Sequence, residues 1–340
     1  MKKISTIGLD LAKKVFQVHG TSAAGEVVVK RQLKRAEVLK FFAKLDLCLV
    51  GMEACSSAHY WAREISALGH TVKLLAPIYV KAYVKRNKND AADAAAICEA
   101  VTRPSMRFVP AKSVDEQSIL CLHRVREALV RQRTCLANVL RSHLSEFGII
   151  APQGISNVLK RFDQLEDDEL PQAARFSLGE VRAELSTLGS RIRGIEKQII
   201  AKHKASPLSQ RLATIHGIGS ITASMMVATV PDPHQFRSGR HFAAWIGIVP
   251  KQNSSGGKER LGSISKMGNR DLRRLLVMGA ASRMRHKSKM TQGDGAWMMR
   301  LLERKPPKVA IVAMANKMAR IAWALMVHGG VYNPNHMGTA

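Results

Sequence analysis

The chain has 340 residues, enough for two domains, and its apolar fraction of 46% is sufficient for a buried core. Its 53 Lys and Arg residues against 26 Asp and Glu leave a formal net charge of +27, which a polyanionic partner would neutralise. No Lys-rich amphipathic helix with an aromatic face is found, so nucleic acid is favoured over a membrane surface. Five cysteines without a CxxC pair argue against a disulfide framework and a zinc ribbon.

The first hundred residues predict a mixed α/β domain. Three short β-rich segments come first, and helices then alternate with strands. The predicted strands are Ile4–Asp10, Val15–Gly20, Glu26–Gln32, Leu47–Glu53 and Thr71–Ala76, and the predicted helices are Arg35–Leu45, Ser57–Leu68 and one that begins at Pro77. An antiparallel meander that continues into parallel βα units is the order of a ribonuclease-H-like fold.

The middle of the chain predicts two long helices, Asp115–Glu146 and Leu178–Lys204, separated by an acidic loop over Pro152–Pro171. Neither helix has an obvious core of its own. We therefore expect a coiled-coil-like hairpin that pairs with another subunit, and a solvated helical linker is the alternative.

After Pro207 the chain predicts a mainly helical C-terminal region. Thr214–Ala223 contains a Gly-Ile-Gly turn between two helices, and the Gly-rich loop Lys251–Leu261 is followed by the basic segment Ser265–Leu276. Between positions 251 and 320 there are 17 Lys and Arg residues against 4 Asp and Glu, which predicts a phosphate-facing surface. The apolar stretch Val309–Val327 is interrupted by polar residues and is typical of a core helix, not of a membrane span.

Four carboxylates occupy positions that suit metal-dependent phosphodiester chemistry. Asp10 ends the first predicted strand, Glu53 ends the fourth, and Asp90 and Asp93 are three residues apart on one face of a helix. Hard oxygen ligands close together can hold two Mg²⁺ (or Mn²⁺) ions. Taken singly, each residue could equally be an ordinary strand-end charge or a helix N-terminal acid.

The motifs around these carboxylates resemble the DEDD-type transposases of the IS110 insertion-sequence family, which are bridge-RNA-guided recombinases. The similar segments are GLDLAK, MEAC and KNDAADA in the first part, and HGIGSITA and FAAWIGIVPKQNSSGGKERLGSISKMGNRDLRRLL in the second. They cover essentially the whole chain, in the family's order.

The resemblance implies three regions: a RuvC-like DEDD domain over 1–112, a helical coiled-coil-like dimerisation region over 113–206, and a transposase domain with a helix-hairpin-helix over 207–340. It also implies that the four carboxylates bind divalent metal and that Ser255, with Ser254 as the alternative, is a nucleophile forming a 5′-phosphoserine. Donor DNA, target DNA and a non-coding bridge RNA are the implied partners, and homodimers are expected to pair into a homotetramer.

Two sets of candidate nucleic-acid contacts follow. Gly217 and Gly219 resemble the hairpin of a helix-hairpin-helix, whose backbone amides can contact phosphates, although a tight structural turn explains them equally well. The second set is basic: Lys258, Arg260, Lys266, Arg270, Arg273 and Arg274. Its alternative is a solvated basic face.

Other functions are weighed against the recombinase. A junction resolvase would use the same carboxylates with water as the nucleophile. An actin-like ATPase would share the GLDLAK hairpin but needs a second Gly-rich nucleotide loop, which is not found, and a non-catalytic RNA-binding protein would not need the carboxylates. We expect a bacterial, cytoplasmic, nucleoid-associated protein with reduced, mostly buried cysteines.

Overall fold

A computed structural model describes residues 3–84, 89–286 and 293–334 of the chain. The chain divides into two compact units, Met1–Val114 and Asp115–Ala340, called here the first and second unit. This division groups the predicted helical region with the C-terminal region. The three regions predicted from the sequence, with boundaries at residues 112 and 206, differ in their expected roles and remain a prediction.

The first unit alternates strands and helices in the predicted order. Its elements are β1 (Thr6–Asp10), β2 (Val15–Thr21), β3 (Val27–Lys34), α1 (Val38–Phe42), β4 (Leu49–Glu53), α2 (Ala58–Ala67), β5 (Thr71–Leu75), α3 (Pro77–Val80), α4 (Asp90–Val101) and β6 (Phe108–Val109). Two short 3₁₀ turns, Arg35–Glu37 and Lys81–Tyr83, flank α1 and α3.

Within the described residues, these strands form one six-stranded mixed sheet in the order β3-β2-β1-β4-β5-β6. The first three strands are antiparallel, whereas β1, β4 and β5 are parallel. The antiparallel edge strand β6 was not predicted, because two residues are too few to show a strand pattern. The mixed α/β class agrees with the expectation, and the sheet is consistent with a ribonuclease-H-like domain.

The two faces of this sheet are covered by different helices. On one face, alternate residues of β1 and β2 such as Ile7 and Phe16 pack with Phe42 of α1 and Trp61 of α2. Helix α4 covers the other face, where it lies against β1, β2 and β4. Polar side chains that point toward α4 are therefore kept apart from the main core.

The second unit is mostly helical. Its elements are α5 (Val114–Glu146), α6 (Ile155–Asp163), α7 (Gln172–Lys204), α8 (Pro207–Leu212), α9 (Ser220–Thr229), α10 (Gly239–Ile246), β7 (Pro250–Gln252), β8 (Leu261–Ile264), α11 (Arg270–Arg285), α12 (Gly293–Leu302) and α13 (Pro307–His328). Helix α13 is long and apolar enough to cross a membrane. Its apolar side chains, including Met314, Met318 and Ala322, are buried in the core of this unit, as a core helix requires.

The helical hairpin differs from its prediction in two respects. The expected loop over 152–171 contains α6, because Ile155, Val158 and Phe162 recur at helical spacing ahead of the acidic run. The hairpin also has a core of its own, in which Leu140 of α5 packs with Leu185 of α7. An ion pair from Arg126 to Glu196, at 2.6 Å, links the same two helices farther along.

The cysteine prediction is correct on only one count. No cysteine forms a disulfide, and Cys48 and Cys98 are buried, but Cys55, Cys121 and Cys135 are exposed. Cys121 and Cys135 are 14 residues apart on α5, which is four helical turns, so both fall on its outer face.

Candidate metal centre and serine hairpin

Two central strands end in carboxylates at the same edge of the sheet. Strands β1 and β4 are parallel neighbours, and the pairing of Leu9 with Met52 brings Asp10 and Glu53 to adjacent strand ends. Both carboxylates follow a glycine by two residues, Gly8 in β1 and Gly51 in β4. Residues two apart share a face, so Asp10 and Glu53 lie on the face that α4 covers.

The glycines allow α4 to lie directly on the strands. A Cβ atom on Gly8 would be 2.1 Å from the Ala94 carbonyl oxygen and 2.4 Å from the Cys98 nitrogen, and one on Gly51 would be 2.8 Å from the Val101 Cβ atom. Any side chain at position 8 would have to displace the backbone of α4. The Gly-x-Asp and Gly-x-Glu patterns thus combine close helix approach with a carboxylate at the strand end.

The start of α4 supplies the other two carboxylates. Asn89 caps the helix, and its Oδ1 accepts a hydrogen bond from the Ala92 amide at 2.8 Å. Asp90 and Asp93 therefore lie in the first helical turn, where the helix dipole stabilises negative charge. The cap determines where the helix starts, and hence where both side chains point.

Three of the four predicted carboxylates come together. Asp10, Asp90 and Asp93 each offer an oxygen, and these oxygens lie within 4.8 Å of one another. Glu53 stays outside this group, although its charge acts on Asp10. Burial, followed by the charges of Asp93, Asp90 and Glu53, raises the pKa of Asp10 from 3.8 to about 6.

This arrangement fits a divalent cation. The donors are hard carboxylate oxygens on a strand end and a capped helix, which suits Mg²⁺ or Mn²⁺ better than a soft metal. Burial, and after it repulsion from the neighbouring carboxylates, raises the pKa of Asp10, and a cation among the carboxylates would relieve that repulsion. The acidic group and its surroundings are therefore chemically consistent with metal binding.

In the second unit, Ser255 lies at the tip of the two-stranded hairpin formed by β7 and β8. Its carbonyl oxygen accepts the Lys258 amide at 3.1 Å, and Gly256 and Gly257 have φ angles of 57° and 76°. Positive φ at both central residues is what a type I′ turn requires, so this glycine pair has a structural reason. Ser254 and Ser255 are both exposed, and the Ser254 hydroxyl accepts a hydrogen bond from the Arg260 amide at 3.2 Å.

The predicted basic contacts fall into two groups. Lys258, Arg260, Lys266 and Arg270 are exposed on the hairpin and at the start of α11. The other two side chains bind within the protein. Arg273 donates to the Ile246 carbonyl at 2.8 Å, and Arg274 forms a bidentate ion pair with Glu127 of α5.

The Gly-Ile-Gly turn has a packing role. A Cβ atom on Gly217, whose φ is 92°, would be 3.1 Å from the Gly279 carbonyl oxygen, and one on Gly279 would be 1.9 Å from the Gly217 carbonyl oxygen. The turn therefore packs closely on α11. Gly219 is exposed at the N-terminus of α9, with open space around it.

The sequence reasoning missed the polar residues beside Asp10. Gln17 pairs with Asp10 across β1 and β2, and His19 follows it two residues later on the same face. The alternation of polar Gln17 and His19 with buried Phe16 and Val18 was the available signal.

Comparisons with known proteins find transposases that are similar to nearly the entire chain. A sequence model described as "Transposase IS116/IS110/IS902 family" matches residues 209–293, and one for DEDD transposases of the IS110 type matches 7–149. A "Probable family 20 transposase" of Pseudomonas aeruginosa is 50% identical, covering 97% of this chain and 99% of the relative. The transposase for insertion sequence element IS1328 of Yersinia enterocolitica is 41% identical, with 98% and 100% covered. That for IS1111A of Coxiella burnetii is 40% identical, with 98% and 92% covered.

Proposed function

The chain belongs to the IS110/IS116/IS902 family of transposases, which cleave and rejoin DNA, and from this premise we propose that it performs RNA-guided strand exchange between donor and target DNA. The observation that carries the proposal is the convergence of Asp10, Asp90 and Asp93 within 4.8 Å at one sheet edge. The excess of Lys and Arg residues in the same chain would attract nucleic acid to this site.

In this proposal, Asp10, Asp90 and Asp93 hold the divalent cations, and Glu53 completes the set from the neighbouring strand. When bound, the metal would supply Lewis-acid polarisation of the scissile phosphate. The protein positions the ligands through two fixed contacts, the packing of α4 on Gly8 and the Asn89 cap. Both keep the carboxylates close together in spite of their repulsion.

Ser255 is the proposed nucleophile. Its Oγ attacks the phosphodiester, so an Oγ–P bond forms, the P–O3′ bond breaks, and the departing 3′ oxygen takes up a proton. Rejoining reverses these steps: a 3′ hydroxyl of the partner strand attacks the phosphoserine and releases the Ser255 hydroxyl. Both serines are exposed, but the Ser254 hydroxyl accepts a hydrogen bond from the Arg260 amide, whereas Ser255 lies at the hairpin tip before two glycines that let the backbone approach DNA; this difference supports Ser255 over Ser254.

Guide RNA and subunit assembly form the outer part of the proposal. The hairpin of α5 and α7 is the proposed dimerisation and RNA-gripping element, with dimers pairing into a tetramer. Its 33-residue helices and outward-facing charges support this role. Base pairing by the RNA would select donor and target sites, since specificity in guided systems rests on pairing and not on protein side chains.

The test is capture of the covalent intermediate. Full-length protein is incubated with donor DNA labelled at its 3′ end, the RNA transcribed beside the gene, and Mg²⁺, and protein-linked label is measured after denaturation. We expect Ser255→Ala and Asp10→Asn each to abolish the adduct and Ser254→Ala to retain it. An undiminished adduct in Ser255→Ala would overturn the nucleophile assignment.

The same experiment separates the recombinase from a junction resolvase. If the Ser255→Ala protein still cleaves DNA and leaves free 5′ phosphates, water is the nucleophile and the carboxylates act as in a nuclease. If cleavage proceeds equally well without RNA, guidance fails while the carboxylate assignment stands.

A further inference from the structure

A polar groove lies beside the carboxylate cluster, on the same face of the sheet. It is a cavity of about 390 Å³ between strands β2 and β3 and the first turns of α4. The helix wall is made of small side chains, Ala91, Ala92 and Ala95, which leave the floor of the groove open. None of the proposed metal ligands lines it.

The strand register identifies the side chains of the floor. In β2, Gln17 and His19 alternate with buried Phe16 and Val18, so they share the face of Asp10. In β3, Gln32 pairs with Gln17 and Lys30 pairs with His19. The four side chains therefore form a compact patch of two amides, one imidazole and one ammonium group: Gln17, His19, Lys30 and Gln32.

This patch begins next to the metal centre. Gln17 is the direct cross-strand neighbour of Asp10. Since neighbouring strands are about 4.8 Å apart, Gln32 on β3 is roughly 10 Å from Asp10 across the sheet, and Lys30, two residues farther along β3, is roughly 12 Å away. A nucleic-acid strand whose scissile phosphate lies at Asp10 would place its next one or two phosphates over the groove.

The chemistry of the groove suits a phosphodiester backbone. Lys30 is exposed and cationic, while burial and the nearby Lys30 charge lower the pKa of His19, so that the imidazole remains a neutral donor. Amides and a neutral imidazole can donate to phosphate oxygens without attracting the carboxylates away from the metal. Among the residues that the structure describes, no Phe, Tyr or Trp side chain lines the cavity, which favours backbone contact over base stacking.

We infer that Gln17, His19, Lys30 and Gln32 form a subsite that binds the backbone of the DNA strand being cleaved, one or two nucleotides from the scissile phosphate. The inference rests on the proposed function of the carboxylates. The subsite holds the strand in register with Asp10, and its residues take no part in bond making or breaking.

The test uses full-length protein with guide RNA, Mg²⁺ and donor DNA over a range of DNA and salt concentrations. Lys30→Ala should raise the DNA concentration that gives half-maximal cleavage about three- to tenfold, leave the maximal rate unchanged, and lower the slope of log affinity against log salt by about one. Lys40→Ala is the matched control, since Lys40 is an exposed lysine on α1 at the opposite face of the sheet. Equal weakening by Lys40→Ala would show an effect of overall charge and overturn the inference.

A second measurement locates the contact. Uncharged methylphosphonate groups are placed singly along the donor strand, and the penalty of each is compared between wild type and Lys30→Ala. The penalty should disappear in the variant at one position, one or two nucleotides from the cleavage point. Penalties that are the same in both proteins at every position would overturn the subsite.

Two further measurements distinguish a failure of the proposed metal centre from a failure of the proposed subsite. Asp10→Asn should abolish cleavage without weakening DNA binding; normal cleavage by Asp10→Asn refutes the metal centre, whereas the Lys30 binding data still report on the groove. Affinity for the guide RNA alone should be the same in Lys30→Ala and wild type. Weaker RNA binding with unchanged DNA binding would assign the groove to RNA and overturn the proposal.

Discussion

At the scale of single residues, the position of Asp10 that suits its proposed metal-binding role lowers the stability of the metal-free protein. The Asp10 carboxylate is partly buried beside those of Asp90 and Asp93 and near the charge of Glu53, and its pKa of about 6 lies well above the usual 3.8. Between these two values the folded state binds more protons than the unfolded chain. The free energy of unfolding of the metal-free protein therefore falls as the pH rises through this window, and it stays lower at neutral pH.

Replacing Asp10 with Asn should remove this penalty. In EDTA at pH 7.5, we expect Asp10→Asn to raise the free energy of unfolding by about 1–2 kcal/mol, less than the full pKa shift corresponds to because solvent screens the partly exposed carboxylate, and to have little effect below pH 4. Urea denaturation at both pH values measures the difference. Asp168→Asn, at an exposed position in the second unit, is the control and should change stability by less than about 0.5 kcal/mol. A variant no more stable than wild type at pH 7.5 would contradict the account.

At the scale of elements, the close packing of α4 on β1 and β4 brings the carboxylates of the candidate site together. Gly8 and Gly51 let the helix approach, and the Asn89 cap fixes where it begins. The carboxylates converge because three elements meet at one sheet edge.

The close packing of α4 on Gly8 predicts that adding one methyl group at this position will greatly lower stability. Gly8→Ala should destabilise the first unit by about 3 kcal/mol and weaken Mn²⁺ binding, because the new Cβ would be 2.1 Å from the Ala94 carbonyl oxygen. Gly194→Ala is the matched control: this exposed glycine within α7 has open space around it, so alanine should stabilise the protein by about 0.5–1 kcal/mol. Urea denaturation and Mn²⁺ titration measure the effects. Intact Mn²⁺ affinity in Gly8→Ala would refute the positioning role of α4.

At the scale of the whole molecule, charge dominates. The chain carries a net charge of +27 although its proposed metal ligands are all anionic, and a polyanionic partner such as nucleic acid would neutralise this excess of cations. The exposed cations Lys258, Arg260, Lys266 and Arg270 cluster at the serine hairpin and the start of α11. Binding at such a surface should depend steeply on salt.

The double variant Lys258→Ala with Arg260→Ala tests this surface. We expect the slope of log affinity for duplex DNA against log salt to fall by about two, one for each lost phosphate contact. Lys40→Ala with Lys44→Ala, which removes two exposed cations from the first unit, should leave the slope unchanged. Equal slopes for the two double variants would contradict a localised phosphate-binding surface. Fluorescence anisotropy between 50 and 300 mM salt provides the comparison.

Local patterns were enough to predict much of this protein. Strand alternation and helical periodicity depend on residues close in sequence, so the element order of the first unit and the helix carrying Asp90 and Asp93 could both be predicted. Helix α6 was missed because the acidic run beside it outweighed a short apolar stripe.

The remaining features depend on contacts between residues far apart in sequence. Glu53 lies outside the group formed by Asp10, Asp90 and Asp93, and Arg274 pairs with Glu127, which is 147 residues away. The groove beside Asp10 exists only because β3 pairs with β2 in one register while α4 covers β1. Composition and spacing thus determined the chemistry available to the chain, whereas tertiary packing decided which side chains share a site, because only packing sets distances between residues that the sequence separates.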